Sequence, residues 1–271
     1  MIINNNISSM NALRNLGING FKMGKTMEKL SSGYRINRAA DDAAGLAISE
    51  KMRAQISGLD VAQRNAQDGI SMLQTAEGAM EEIHGMLRRM RDLALQANNG
   101  TNEATDLAKL HAEFGELIEE ISGIAIRTSF NNKSLIDGTG GDIDFQIGAN
   151  ATETITIELG TINVGATSGL SINALDLTAA PEAAITALDT AINTVSEHRS
   201  TLGATQNRLE HTINNLAVSA ENLQAAESRI RDADMAFEMS TLTKHQILQQ
   251  AGTAMLAQAN MRSQSVLSLL G

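Results

Sequence analysis

One sequence motif has the spacing of a metal-binding site. Glu81 and His84 form a Glu-x-x-His pair. Di-iron sites in helical bundles use this spacing, but they need two such motifs and two further carboxylates that converge in the core. The sequence contains no second Glu-x-x-His, and both residues lie off the apolar stripe that contains Met80 and Ile83. The motif therefore favours a polar helix face over a metal site.

The other groups that could do chemistry are equally isolated. The remaining histidines are scattered without a pair at ligand spacing: His111, His198, His211 and His245. The neighbouring carboxylates Asp41-Asp42 and Glu119-Glu120 diverge on a helix and make poor acid–base partners. No Lys-Ser/Thr pair follows the glycine-rich run 138–141, so it is not a phosphate loop. We predict no enzyme, cofactor or metal, with a helical-bundle metalloprotein kept as the alternative from another class.

Composition excludes several further classes. The 271 residues carry a net charge of −10, which argues against nucleic-acid binding, and the absence of cysteine excludes disulfides. No run of eighteen apolar residues exists, so we predict no membrane span, and the start lacks the features of a cleaved secretory signal. Aromatic residues make up only 2% of the chain, which suits helix seams better than a deep pocket.

The longest apolar stripe lies between Pro181 and Ile230. Its steps of three and four residues are typical of a coiled-coil helix, roughly 75 Å long at 1.5 Å per residue. The members are Ile185, Leu188, Ile192, Val195, Leu202, Leu209, Ile213, Leu216, Ala220, Leu223 and Ile230. So narrow a stripe needs another helix to cover it.

Helices with two further apolar stripes can cover this one. One runs from Leu59 to Ala94 and a shorter one from Leu107 to Ile124. The sequence therefore predicts a mainly α protein, a long antiparallel coiled-coil-like bundle with helices at about 45–98, 102–126 and 181–230. Period-two alternation predicts a β-hairpin at about 140–160, and residues 160–180 are expected to form a loop with room for one more short strand.

The two ends of the chain carry looser stripes. Residues 1–30 and a final helix after residue 234 mix apolar side chains with amides, and on their own they should be marginal helices. Gly33 ends the first of them, and Asp41 or Asp42 caps the next helix, which we expect to have a joint near Gly58.

The chain resembles the bacterial flagellins over essentially its whole length. The motifs that carry the resemblance are Leu30–Asn37, Ala40–Ile48, Phe145–Asn150 and the end from Ala233 to Leu270. The variable outer domains of larger flagellins are missing before Pro181, so the chain looks like a minimal flagellin.

The resemblance implies a domain arrangement and a function. An inner terminal domain of residues 1–44 and 232–271, whose N- and C-terminal helices pair, would join a rod domain of residues 45–231. The subunit would polymerise into the filament that propels swimming. The helices expected to drive this carry Ile3, Ile7, Met10, Leu13, Leu248, Met255, Val266 and Leu270. We expect these segments to be disordered in the free monomer and to fold on assembly.

The resemblance also implies partners and a location. The protein would be extracellular, in the flagellar filament, and exported without a cleaved signal peptide. Its partners would be further copies of itself, the flagellar export apparatus, an export chaperone, and the filament cap and hook-junction proteins. The nearest rival is a hook–filament junction protein, which shares paired terminal helices and a rod.

One receptor site follows from the resemblance. The stretch Leu87–Ala94 is similar to the flagellin segment sensed by a vertebrate Toll-like receptor, and Arg89, Leu93 and Glu113 match its principal contact positions. The competing interpretation is packing between subunits, and both can hold if the two surfaces overlap.

Overall fold

The described part of the chain forms five helices and two small β-hairpins. The structure is a computed structural model that describes residues 6–167 and 169–267, with side chains as far as Met261. The helices are α1 (Ile7–Ser32), α2 (Ala43–Ala97), α3 (Ala104–Arg127), α4 (Pro181–Arg231) and α5 (Met235–Leu267). The strands are β1 (Ser129–Phe130), β2 (Lys133–Ser134), β3 (Ile143–Gln146) and β4 (Thr154–Ile157). The predicted fold class, a helical bundle with a small β region and paired ends, is confirmed.

The chain divides into two compact units. The terminal unit combines the chain up to Ala54 with the chain from Glu221 onward, and the central unit is Gln55–Ala220. Helices α2 and α4 each contribute residues to both units. The domain boundaries expected near residues 44 and 232 lie at the start of α2 and the end of α4, and not at the limits of these two units. The expected boundaries stay predictions.

The core of the central unit is built on the predicted stripes. Arg91 on α2 pairs with Asp189 on α4 at 2.6 Å, and Glu77 pairs with Arg199 at 3.6 Å, so the two helices run antiparallel. The largest buried side chains of the three helices include Leu73, Met80, Ile83, Leu87, Met90, Phe114, Ile121, Leu188, Val195, Leu202 and Leu209. Their three–four spacing places them on one face of each helix.

The segment after the second hairpin also belongs to this core. Residues 160–180 were predicted to form a loop with room for one short strand. The described residues of this segment form no strand, yet several of its apolar side chains are buried: Ile162, Val164, Leu170, Ile172 and Leu177. In strands β3 and β4, Ile143 lies opposite Ile157 and Phe145 opposite Ile155. The first hairpin was not predicted, although Asn131 and Asn132 adopt the positive φ angles, 48° and 63°, that a tight two-residue hairpin turn requires.

Gly58 marks a close contact inside the central unit. Helix α2 is continuous from Ala43 to Ala97, so the joint expected at this glycine does not break the helix. A Cβ at Gly58 would lie 3.0 Å from the Ala149 Cβ and 3.2 Å from its Cα. The glycine is there because the 146–150 turn leaves no room for a side chain.

Two loops of the terminal unit are joined by backbone hydrogen bonds. Helix α1 ends at Gly33, which is left-handed with φ 75°. The Arg35 amide donates to the Arg231 carbonyl at 2.7 Å, and the Ala233 amide donates to the Gly33 carbonyl at 2.9 Å. Tyr34 and Asp232 thus form an antiparallel bridge. This short ladder fixes the end of α1 beside the start of α5.

One arginine holds the side chains at that ladder. The Arg231 guanidinium lies 4.7 Å from the Tyr34 ring centroid and 2.8 Å from Glu50 Oε1, and only 14% of the Arg231 side chain is exposed. We call Tyr34, Glu50 and Arg231 the arginine node.

The start of α2 is capped as expected. Asp42 Oδ1 accepts a hydrogen bond from the Gly45 amide at 2.8 Å, which makes Asp42 the cap. Asp41 instead pairs with Lys25 at 2.7 Å, and that bond holds the pKa of the Asp41 carboxyl below its usual range. No helix in the described part of the chain is long and apolar enough to cross a membrane.

Candidate functional site

Helices α1 and α5 pack against each other antiparallel. The Asn6 side chain donates to the Ala259 carbonyl at 3.0 Å, and Lys29 pairs with Glu238 at 3.2 Å near the other end. The N-terminal end of α1 therefore lies beside the C-terminal part of α5. This pairing of the two chain ends was predicted from the sequence and is confirmed.

The buried seam between α1 and α5 contains few large apolar side chains. The side chains of α1 that are least exposed recur at heptad spacing: Ser9, Ala12, Leu16, Asn19, Met23, Thr26 and Leu30. Their partners on α5 have the same spacing: Glu238, Leu242, His245, Gln249, Gly252, Leu256 and Ala259. A Cβ at Gly252 would lie 3.1 Å from Leu16 Cδ1, so the helices approach closely there.

A reciprocal amide–imidazole contact lies in the middle of this seam. Asn19 Nδ2 donates to the His245 carbonyl at 2.8 Å, and Asn19 Oδ1 lies 2.6 Å from His245 Nδ1. Asn19 is one of two buried polar residues on α1, and both its side-chain atoms have partners. Polar seam residues of this kind specify alignment at some cost in stability.

Thirteen other large apolar side chains of α1 and α5 face away from the seam. They are between 47% and 68% exposed: Ile7, Met10, Leu13, Ile18, Phe21, Met27, Met235, Phe237, Met239, Ile247, Leu248, Met255 and Met261. Monomeric proteins rarely leave so many large apolar residues contiguous on two helices. We call these thirteen residues the outward apolar faces.

Five of the predicted assembly residues have described side chains, and all five belong to these faces. Ile7, Met10 and Leu13 are exposed on α1, and Leu248 and Met255 on α5. Val266 lies on α5 beyond the described side chains, while Ile3 and Leu270 lie outside the described residues. The seam itself was not predicted, because nine of its fourteen positions are small or polar residues.

The predicted receptor residues occupy the facing surfaces of α2 and α3. Arg89 Nη2 lies 2.7 Å from Glu113 Oε1, and both side chains are exposed. Leu93, one turn further along α2, is only 1% exposed and packs in the core. The structure therefore brings Arg89 and Glu113 together at the surface and separates Leu93 from it.

A second ion pair lies on the other flank of α2, between α2 and α4. Arg91 Nε donates to Asp189 Oδ1 at 2.6 Å, and this hydrogen bond raises the pKa of the Arg91 guanidinium.

Among the described residues, no group of three or more His, Asp or Glu side chains is placed to hold a metal ion. Burial lowers the pKa of His84, and the positive charges of Arg88 and Arg199 lower it further.

Comparison with known proteins identifies the family. A family model described as the bacterial flagellin N-terminal helical region matches residues 3–140, and the bacterial flagellin C-terminal helical region matches residues 185–270. A flagellin from Halalkalibacterium halodurans is 57% identical over 272 residues that cover both chains completely. A flagellin from Bacillus subtilis is 53% identical, again with full coverage of both chains.

A solved structure agrees with these matches. The crystal structure of Bacillus cereus flagellin is 42% identical, with a TM-score of 0.52, and the match covers 60% of this chain and 94% of that one. The chain therefore belongs to the bacterial flagellin family and is a structural subunit of the flagellar filament, not an enzyme.

Proposed function

We propose that this subunit polymerises through the outward apolar faces of α1 and α5. The observation that carries the proposal is the exposure of thirteen large apolar side chains on these two helices. Burying one such side chain stabilises an interface by about 1.5–3 kcal/mol. Contacts between different surfaces of successive copies do not close into a ring, so they generate an open helical polymer.

The seam between α1 and α5 supports a role for assembly in ordering these helices. Nine of its fourteen side chains are small or polar, so the pair buries less apolar area than a seam of large apolar side chains would. Covering the outward faces with neighbouring copies would add the missing stabilisation. We therefore propose that α1 and α5 become fully helical only in the filament.

One apolar-to-acidic substitution tests the assembly surface. Leu13→Glu places a charge on the outward face, and Asn11→Glu places the same charge on the same helix at an exposed polar position. Losing about 1.5–3 kcal/mol per contact raises the critical concentration for polymerisation about ten- to hundredfold in Leu13→Glu. Sedimentation of filaments from serial dilutions measures this concentration.

The control separates assembly from folding. Asn11 accepts a hydrogen bond from Arg14, and a glutamate there keeps an acceptor. Asn11→Glu should polymerise almost as the unmodified protein does, and both variants should have the same far-ultraviolet circular dichroism as dilute monomers. An unchanged critical concentration in Leu13→Glu would contradict the proposed surface.

The same experiment addresses the ordering of the ends. If α1 and α5 become fully helical only in the filament, the mean residue ellipticity at helical wavelengths should increase on polymerisation. Equal ellipticity in monomer and filament would refute this part of the proposal. The two helices account for 26 and 33 residues, so the change is large enough to measure.

Export and location follow from this proposal. The protein would be extracellular, delivered by the flagellar export apparatus with an export chaperone and without a cleaved signal peptide. The filament cap and hook-junction proteins would contact the same terminal helices. Mass spectrometry of protein sheared from cells tests whether a signal peptide is cleaved. Loss of a long N-terminal segment would contradict uncleaved export.

We further propose that Arg89 and Glu113 contribute to recognition by a flagellin-sensing Toll-like receptor. Both are exposed and their ion pair gives one surface patch, while Leu93 supports the patch from the core. A reporter cell that expresses the receptor should respond less to Arg89→Ala, while Arg64→Ala, at another exposed arginine of α2, should leave the response unchanged. An equal response to Arg89→Ala and the unmodified protein would contradict this role.

The junction-protein alternative makes a different prediction about growth. A filament subunit adds to copies of itself indefinitely, whereas a junction protein stops after a short zone. Negative-stain electron microscopy of concentrated purified protein distinguishes them, because long filaments support the flagellin role. Failure to propagate under all conditions would favour the junction protein.

A further inference from the structure

Two Asn-Gly sequences in the chain occupy opposite environments. Asn19-Gly20 lies inside α1, and Asn99-Gly100 lies in the turn between α2 and α3. Asn-Gly is chemically reactive because glycine has no side chain to hinder attack by its own amide on the preceding carboxamide. Asparagine is accordingly one of the thermolabile residues of proteins. The fold decides which of the two sequences can react.

Asn99-Gly100 has the freedom that the reaction needs. Both residues are exposed and non-helical, and the Asn99 amide bonds to the Gln96 carbonyl at 3.2 Å. Within the described residues, neither the Asn99 carboxamide nor the Gly100 amide makes a hydrogen bond. The attacking nitrogen is therefore open to solvent base, and the carboxamide is free to rotate toward it.

Both reacting groups of Asn19-Gly20, the carboxamide and the following backbone amide, are held in place. The Asn19 carboxamide is fixed by its two contacts with His245, at 2.8 Å and 2.6 Å. The Gly20 amide lies in the interior of a 26-residue helix, where each N–H bonds to the carbonyl four residues earlier. Attack on Asn19 would require both sets of bonds to break first.

We propose that Asn99 is a site of spontaneous deamidation in the folded protein. Solvent hydroxide removes the Gly100 amide proton, and the nitrogen then forms a bond to Asn99 Cγ. The bond between Cγ and the side-chain nitrogen breaks, and that nitrogen leaves as ammonia. Water then opens the five-membered imide at either carbonyl, which gives aspartate or isoaspartate. No electron transfer or cofactor is needed.

The product changes the end of α2. A carboxylate at residue 99 lies just beyond the C-terminal end of the helix, where the macrodipole disfavours negative charge. Glu103 and Asp106 follow closely and add like-charge repulsion. The isoaspartate product also lengthens the backbone by one carbon at the Asn99 carbonyl, which accepts the Asn102 amide at 3.3 Å. Deamidation should therefore loosen the turn between α2 and α3.

The experiment compares the two sites within one sample. Purified full-length protein is polymerised, and the filaments are incubated for weeks in mildly alkaline buffer at physiological temperature, digested with trypsin, and analysed by tandem mass spectrometry. We expect Asn99 to convert at least about tenfold faster than Asn19, since conversion at Asn19 requires local opening of the helix. In concentrated denaturant the two rates should become similar.

Two glycine variants complete the test. A Cβ at Gly100 or at Gly20 has no atom within 4 Å, so both substitutions are tolerated. Gly100→Ala should suppress conversion at Asn99, while Gly20→Ala should leave Asn99 unchanged. Equal rates at Asn19 and Asn99 in the folded protein would overturn the proposal. So would an Asn99 that converts in denaturant but stays intact in the folded chain.

Discussion

The arginine node offers a sharp test of how the terminal unit is held together. Replacing Arg231 by alanine removes its stacking on Tyr34, which is about 0.5–2 kcal/mol for such a pair. It also removes the ion pair with Glu50, whose side chain is 55% exposed, so about 0.2–1 kcal/mol is lost there. Arg231 Nε is buried without a hydrogen-bond partner in the described part of the chain, and losing this donor offsets some of the cost.

The net expectation is a destabilisation of the terminal unit by about 1–3 kcal/mol. The chain contains one tyrosine and no tryptophan, so its tyrosine fluorescence reports Tyr34 alone. Followed by this signal, urea unfolding of Arg231→Ala should have a midpoint about 0.5–1.5 M lower than that of the unmodified protein. Arg231→Lys should lie between them, because lysine keeps the charge but loses the planar stack.

Arg229→Ala is the matched control. Arg229 lies on the same helix two residues earlier and is exposed, so its removal should leave the midpoint within error. If the tyrosine-detected midpoints of Arg231→Ala and Arg229→Ala coincide with that of the unmodified protein, the node does not stabilise the terminal unit and the reasoning is refuted.

Three further outcomes are expected. Gly58→Ala should destabilise the central unit by about 1–3 kcal/mol through its clash with Ala149. Gly78→Ala, where a Cβ meets nothing within 4 Å, should stabilise α2 by about 0.5–1 kcal/mol. Urea unfolding followed by circular dichroism measures both changes in stability. Burial lowers the pKa of His84 in the folded protein, and the charges of Arg88 and Arg199 lower it further. The unfolded chain therefore binds a proton at His84 more readily than the folded chain does. The stability of the fold should fall as the pH drops below about 6.5 toward the folded-state pKa. The His84→Gln variant should lose less stability over this pH range. An unchanged slope of stability against pH in this variant would contradict the prediction. Deleting residues 1–42 or 233–271 should leave soluble, compact particles that form no filaments; normal filament growth by either truncated chain in electron micrographs would overturn the assembly mechanism.

Helix positions were predictable because local signals determine them. Pro181 begins α4, Gly33 ends α1, and Asp42 caps α2 through the Gly45 amide. The three long stripes gave the core of the central unit for a similar reason, since a narrow apolar face must be covered by another helix.

The buried part of residues 160–180 could not be predicted in the same way. Ile162 and Val164 are two residues apart, as in a strand, but the glycine and polar residues that follow interrupt the alternation before Ile172. Their burial depends on the helices against which they pack, which are distant in sequence. Local rules identify a turn here but give no information about which of its side chains are covered.

The pairing of the end helices was predictable, but its geometry was not. The looser stripes predicted two paired helices without showing which stripe of α1 contacts α5. Ile7, Met10 and Leu13 are as large as the seam residues Leu16, Met23 and Leu30, so size does not distinguish the two stripes. Under the proposed assembly, further copies of the subunit cover the outward residues, and that information is not local. Leu93 shows the opposite case, a residue matched by resemblance that the packing of α2 keeps inside.

The Asn19–His245 contact gives the two end helices a unique alignment. A slip of one heptad, about 10 Å along the axis, would keep heptad positions facing heptad positions. It would separate Asn19 from His245, and a buried polar side chain that loses its partner is costly. The contact therefore favours one register of α1 against α5, so that every copy of the subunit presents the same outward surface.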